Sequence, residues 1–281
     1  MPKFAANLHY MFTEVPFLQR FEAAANAGFD AVEFQVPYEY PENELSARLR
    51  GNALQMVLFD APMGDWARGD RGLAAVPGRE SEFRESLTSV IKYGNALNCD
   101  TVHLMAGVVG GGEDLDNAER TYISNLTHAA SLLKQHGITA VIEPINKKMG
   151  LMKDAPSYTT HGMHGYFLNH TEHARRIIQE VGSPNLLLHL DCYHMQMLEG
   201  HLSETLRENI AQLRHVQIAG VPGRHEPTVG EINYPYLFAL LDELGYRGWI
   251  GCEYRPERDT WSGLSWASAF GIRPRAAESD R

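Results

Sequence analysis

An α/β fold, and within it a single (β/α)8 TIM barrel, is what the sequence predicts, on three observations. Short β-branched or aliphatic runs alternate strictly with helical stretches, and eight such units can be read between residues 4 and 253. No low-complexity linker interrupts them, and 281 residues suit one barrel of about 250 residues with longer loops. The first strand-to-helix turn carries no Gly-x-Gly-x-x-Gly, which removes the main support for an open dinucleotide-binding sheet.

The first strand is expected at 4–8. A helix at 16–27 follows and stops at Gly28, the residue type that most readily turns left-handed past a last helical turn. The second strand is 31–34, and its helix is 41–49, with Pro41 suited to the first turn. The third strand, 54–59, leads into a loop over 60–78 rich in Gly, Asp and Arg, long enough to be functional. A helix at 80–97 and a strand at 101–105 come next. Helix 115–135 is closed by Gly137, and the fifth strand is 138–143. Residues 146–167 read as a second lid-like loop, followed by a helix at 171–181 and the sixth strand at 186–191. The last units are a helix at 203–213, a strand at 215–219, a Gly/Pro loop at 221–230, a helix at 234–244 and a strand at 249–253. The barrel is expected to span 1–270, with 271–281 a polar tail.

Composition narrows the function classes. An apolar fraction of 44% supports a large core, and 21% charged residues with four Trp argue against disorder. A net charge of −10 without a Lys/Arg block disfavours nucleic acid or a membrane surface as partner. Cys99, Cys192 and Cys252 lack metal or redox spacing and read as reduced thiols, so a cytoplasmic protein is expected. No signal-peptide pattern and no apolar run near about 18 residues is present.

Barrel active sites form at the C-terminal strand ends, and four of the later runs end on Glu143, Asp191, Gln217 and Glu253. A carboxylate there gains nothing from core packing. Two like charges at about 4 Å cost about 4 kcal/mol at an effective dielectric of 20, so protons or a cation must relieve the group. Carboxylate and carboxamide oxygens suit a hard divalent ion, Mg²⁺ or Mn²⁺, whereas Zn²⁺ would more readily recruit His or Cys. Strand parity puts His189 on the face of Asp191, His215 with Gln217, Gly251 with Glu253, Asn7 with His9 and Glu33 with Gln35. Cys192 and Cys252 then face the helices, and Gly251 leaves space beneath Glu253. His103 and His189 read as barrel-interior residues, and Arg68, Arg79 and Arg224 are loop cations available to a substrate carboxylate.

Several stretches resemble the hydroxypyruvate isomerase family of xylose-isomerase-like TIM barrels. They are Leu-Asp-Cys-Tyr-His-Met-Gln (190–196), Pro-Gly-Arg-His-Glu-Pro (222–227), Gly-Glu-Ile-Asn-Tyr-Pro (230–235) and Gly-Trp-Ile-Gly-Cys-Glu-Tyr (248–254). Gly-Asp-Trp-Ala-Arg-Gly (64–69), Pro-Gly-Arg-Glu (77–80) and Ile-Glu-Pro-Ile-Asn (142–146) extend the resemblance, which covers about residues 3–266. It implies a divalent-metal site at Glu143, Asp191, Gln217 and Glu253, with Glu143 and Glu253 as the acid/base pair and His194 and Arg224 near the substrate. Asn7 and Glu33, at the ends of the first two strands, are assigned with them to the substrate.

Three departures stand out: a 147–165 segment longer than the family's loop, Gly220-Val221 where an Asp-Asn pair is common, and the polar tail. The long segment suits either a lid or a contact in a homo-oligomer. The expected activity is aldose–ketose isomerisation of a small hydroxy-oxo acid through an enediolate, hydroxypyruvate giving tartronate semialdehyde. A 2-oxo-tetronate isomerase or a ketose 3-epimerase would use the same apparatus. From other classes, a metal-dependent endonuclease would need more His ligands and a basic face, and a non-catalytic sugar-acid binder would show no metal-dependent proton exchange.

Overall fold

Nine short strands form one all-parallel sheet in a computed structural model that describes residues 1–110, 114–147, 163–228 and 230–275. They are β1 (Lys3–Asn7), β2 (Ala31–Glu33), β3 (Gln55–Met56), β4 (Phe59–Asp60), β5 (Thr101–His103), β6 (Thr139–Ile142), β7 (Leu186–Asp191), β8 (Leu213–Ile218) and β9 (Trp249–Cys252). The sheet order is β3-β2-β1-β9-β8-β7-β6-β5-β4. Its two outer members are consecutive pieces of one stave. Val57 N–H donates to the Val32 carbonyl on one side (3.0 Å), and Ala61 N–H to the His103 carbonyl on the other (2.9 Å). The sheet therefore closes on itself as an eight-staved barrel and leaves no edge to protect. The single third strand expected at 54–59 is instead split, because that stave changes partners midway.

Around it run α1 (Arg20–Asn26), α2 (Glu42–Gly51), α3 (Glu80–Leu97), α4 (Leu115–Lys134), α5 (Thr171–Val181), α6 (Cys192–Leu198), α7 (Leu202–Asn209), α8 (Tyr234–Glu243) and α9 (Thr260–Gly263). The helix expected at 203–213 ends four residues early, passing through a 3-10 turn at Ile210–Gln212. Leu213 instead joins the ladder opposite Leu188, so strand pairing overrides local helical preference. Two elements were not expected. Helix α6 starts directly after Asp191, whose side chain accepts from Tyr193 N–H (2.8 Å) and caps it, and α9 is capped in the same way by Asp259.

The apolar core lies between sheet and helices, and strand parity sorts it. On β7, Leu188 and Leu190 pack outward, whereas His189 and Asp191 belong to the interior. On β8, Val216 and Ile218 do the same against His215 and Gln217. Cys192 and Cys252 are buried unpaired thiols, in line with their parity. The inside of the barrel is by contrast polar: Asn7, Glu33, His103, His189, His215 and Gln217 are all buried there.

The expected tail begins as part of the barrel wall. Ile272 is buried, and Arg275 donates from its backbone to the Asn26 carbonyl (2.8 Å) and from its guanidinium to Asp30 (2.8 Å). Residues 276–281, and residues 148–162 of the long lid-like segment, lie outside the described residues. Gly28 sits at φ +99°, and a Cβ there would overlap the Arg273 backbone. Gly28→Ala is expected to cost about 1–3 kcal/mol, read as a lower urea midpoint with unchanged slope.

Candidate active site

At the C-terminal ends of the staves the barrel opens into a cavity of about 610 Å³. Asn7, Glu33, Glu143, His194, Gln217, Arg224 and Glu253 all line it, and Asp191 lies against it, wholly buried. All eight residues singled out in the sequence thus gather at one place. They come from β1, β2, the end of β6, β7 with α6, β8, the loop after β8, and the end of β9.

Three buried carboxylates meet there. Burial, then the charges of Asp191 and Glu253, pushes Glu143 well above the usual carboxylate range. Burial likewise raises Glu253 well above it, and raises Asp191 against the pull of Arg224. Arg224 is the cation among them. Its guanidinium donates to Asp191 Oδ2 (3.0 Å) and to Glu253 Oε2, and the Tyr10 and Tyr193 rings flank it, each 5.1 Å away. Burial opposes its charge, but Glu253, Tyr10 and Asp191 more than offset this and hold the guanidinium protonated. Arg224 was expected as an open loop cation. It is only 5% exposed, because its loop folds down onto the carboxylates. Arg68 stays exposed and Arg79 pairs with Asp70 (2.7 Å) and Glu82 (2.8 Å) at the surface, so neither reaches the cavity wall.

Beneath this group the Glu33 carboxylate is enclosed by donors. Oε1 accepts from Asn7 Nδ2 (2.9 Å) and Gln217 Nε2 (2.6 Å), and Oε2 pairs with His215 Nε2 (2.6 Å). The room expected beneath Glu253 at Gly251 is filled by this carboxylate, and a Cβ on Gly251 would overlap it. Glu33 and Asn7, expected as substrate contacts, spend these groups on protein partners.

A row of imidazoles crosses the interior, with His103 to His189 ring centres 5.4 Å apart and His189 to His215 5.2 Å. His103 Nδ1 lies 3.2 Å from Asp60 Oδ1 and 3.7 Å from Glu143 Oε2. Burial, then neighbouring His215 and His103, holds His189 well below the ordinary imidazole value, and burial, then Arg224, does so for His194. Both rings are therefore neutral near pH 7.

The residues fit a divalent cation. Ligand atoms of Glu143, Asp191 and His194 lie within 4.8 Å of one another, as do those of His103, Glu143 and His189. Glu143 Oε1 is buried with no hydrogen-bond partner among the described residues. His194, expected only beside the substrate, is thus also within ligand reach. Sequence reasoning missed Asp60, and it missed Gln35, whose Nε2 donates to Glu253 Oε1 (2.5 Å). Their signal was available: Asp60 ends the third stave, and Gln35 shares parity with Glu33.

The profile described as xylose isomerase-like TIM barrel matches residues 21–270 of the chain. The 2-oxo-tetronate isomerase of Cupriavidus necator is 48% identical over 270 residues, covering 96% of this chain and 99% of that protein. The hydroxypyruvate isomerase of Escherichia coli is 41% identical, with 96% and 100% covered. A crystal structure described as an AP endonuclease, family 2, from Brucella melitensis superposes with a TM-score of 0.90 at 45% identity, covering 96% of this chain and 100% of that one.

The shifts give a pH dependence with two limbs in the presence of chelator. A carboxyl whose folded pKa is raised keeps its proton in the folded state after the unfolded chain has lost its own, so stability falls as pH rises above the ordinary carboxylate range. A histidine whose folded pKa is lowered stays neutral while the unfolded chain protonates, so stability also falls as pH drops below 6.5. Glu143→Gln removes one raised group. Urea titrations with chelator at about pH 5 and about pH 8 are expected to show this variant losing less stability than the parent as pH rises.

Proposed function

The chain belongs to the xylose isomerase-like TIM-barrel family, and from that premise we propose that it is an isomerase of a small hydroxy-oxo acid, interconverting hydroxypyruvate and tartronate semialdehyde. The observation that carries this reading is the near full-length identity to two isomerases of such acids, combined with two buried carboxylates, Glu143 and Glu253, on the wall of one cavity.

We assign Glu143, Asp191, Gln217 and Glu253 to a Mg²⁺ or Mn²⁺ ion. Their oxygens form a hard donor set, and a doubly charged ion favours the ionised form of carboxyls that burial, joined at Glu143 and Glu253 by neighbouring carboxylates, pushes upward. When bound, that ion supplies Lewis acidity at the substrate's carbonyl and hydroxyl oxygens. The protein's own groups move the protons. One of Glu143 and Glu253 takes a proton from the hydroxymethyl carbon C3, which leaves an enediolate across C2 and C3. The other returns a proton to C2, while the hydroxyl proton passes from the C3 oxygen to the C2 oxygen. Glu253 is tied by Arg224 and Gln35, whereas Glu143 Oε1 has no such tie, so Glu143 has the freer carboxylate for the first transfer. Arg224, the one Lys or Arg on the cavity wall among the described residues, recognises the substrate carboxylate by a charge-assisted fork, and neutral His194 contacts the substrate oxygens.

A second reading, a 2-oxo-tetronate isomerase, is favoured by the 48% relative and by a cavity of about 610 Å³, ample for a four-carbon acid. A net charge of −10 argues against the nuclease activity named for the Brucella structure, since binding DNA needs a basic face. Cytoplasmic residence is part of the proposal, supported by three buried, unpaired cysteines. Among the described residues no helix is long and apolar enough to cross a membrane.

NMR in deuterated water, with hydroxypyruvate and a four-carbon 2-oxo acid supplied separately, identifies the substrate by which one exchanges its C3 proton and is converted. Glu143→Gln and Glu253→Gln are each expected to lower kcat by about 10²–10⁴-fold or more; the urea midpoint stays at or above the parent's for Glu143→Gln and falls for Glu253→Gln, which takes a carboxylate partner from buried Arg224. Near-parental turnover in either variant refutes the acid/base assignment. Chelation is expected to abolish turnover and added Mn²⁺ to restore it.

A further inference from the structure

We propose that Glu33 is a positioning residue that fixes which end of the Gln217 carboxamide faces the cation site. This rests on the assignment of Gln217 as a cation ligand. A side-chain amide has two ends of similar size, and only the oxygen can serve a cation. Turning the amide over costs little unless a neighbour distinguishes donor from acceptor. Glu33 is such a neighbour. Its oxygens face Asn7 Nδ2 and His215 Nε2, and one of them accepts from the Gln217 nitrogen (2.6 Å), which leaves the amide oxygen at the opposite end.

The surroundings hold Glu33 in that role. It is 1% exposed, and Asn7 Nδ2 (2.9 Å) and His215 Nε2 (2.6 Å) fix its two oxygens from either side. Gly251, directly behind it, has no Cβ, and any larger residue would overlap the carboxylate. Four staves thus cooperate to set one amide: β1 through Asn7, β2 through Glu33, β8 through His215 and Gln217, and β9 through Gly251. Such outer partners of a ligand typically alter metal affinity by about 10–100-fold when removed.

The test measures Mn²⁺ binding by EPR or calorimetry without substrate, on protein shown to be folded by urea titration. Glu33→Gln keeps the shape but presents an NH₂ that can pair with the Gln217 oxygen. It is expected to turn the Gln217 amide around and weaken Mn²⁺ binding by about 10–100-fold. The exchanged pair Glu33→Gln/Gln217→Glu restores one donor facing one acceptor, with a carboxylate oxygen left toward the ion, and is expected to recover binding to within about threefold of the parent. A purely structural role for Glu33 would lower the urea midpoint and leave Mn²⁺ affinity unchanged. A folded Glu33→Gln that binds within about twofold of the parent overturns the proposal. So does a folded double variant that binds no better than Glu33→Gln. If Glu33→Gln does not fold, the double variant alone decides, against the parent. A parent protein that takes up no Mn²⁺ refutes the cation assignment itself, and the positioning role falls with it.

Discussion

The constraint on which this structure depends is the burial of Glu143, Asp191 and Glu253 around one point. Such a group is unfavourable in isolation: loss of water drives each carboxyl toward its neutral form, and neighbouring carboxylates add to this at Glu143, whereas Arg224 opposes it at Asp191 and Glu253. The barrel answers with a guanidinium that is itself buried and charged, wedged between two tyrosine rings and bonded to two of the three carboxylates. It adds an N-terminal helix cap, since Asp191 Oδ1 accepts from the first turn of α6. Breaking one member of such a buried group leaves the others uncompensated, so Arg224 bears on the stability of the fold.

The architecture confines that cost. Between staves and helices the packing is apolar, with Leu188, Leu190, Val216 and Ile218 from the two central strands wholly or nearly wholly buried. Inside the staves, the same strands contribute His189, Asp191, His215 and Gln217. Period-two alternation therefore separates the residues that stabilise the barrel from those that equip it. A change on one face need not disturb the other, which is why a stable barrel can carry a strained set of charges at its mouth.

Much of this was legible in the sequence. Strict alternation of apolar runs and helices gave the barrel, and parity correctly paired His189 with Asp191 and His215 with Gln217 on the interior faces. The four polar strand ends were recognisable because nothing in a packed core explains Glu143 or Glu253. What escaped was set by three-dimensional partners. Helix α6 is only seven residues long and starts on a residue that also belongs to the site, so its sequence reads as loop. Arg224 was expected beside the substrate, but not its bonds to Asp191 and Glu253, which its loop reaches with Arg224 at φ +59°. Gln35 lies two residues past β2 and Asp60 is the last residue of β4, so parity reached both, but their partners Glu253 and His103 come from staves far along the chain.

Gly251 carries the argument from sequence to site one step further. Parity alone identified it as an interior residue and suggested empty space, and the space proves to be occupied by a carboxylate from a stave two positions away in the sheet order. The absence of a side chain on one strand therefore has meaning only through the presence of a charged one on another. Glu33 accepts from Asn7 and Gln217 and pairs with His215 Nε2, so its surroundings are chosen for what they can donate. A donor–acceptor requirement transmitted across four strands in this way restricts residue identity more tightly than volume does. In an apolar core a neighbour of similar size can usually be substituted, whereas here replacing one oxygen by nitrogen reverses the demand on the partners of that atom. The identity of the cavity floor is thus set by hydrogen-bond polarity.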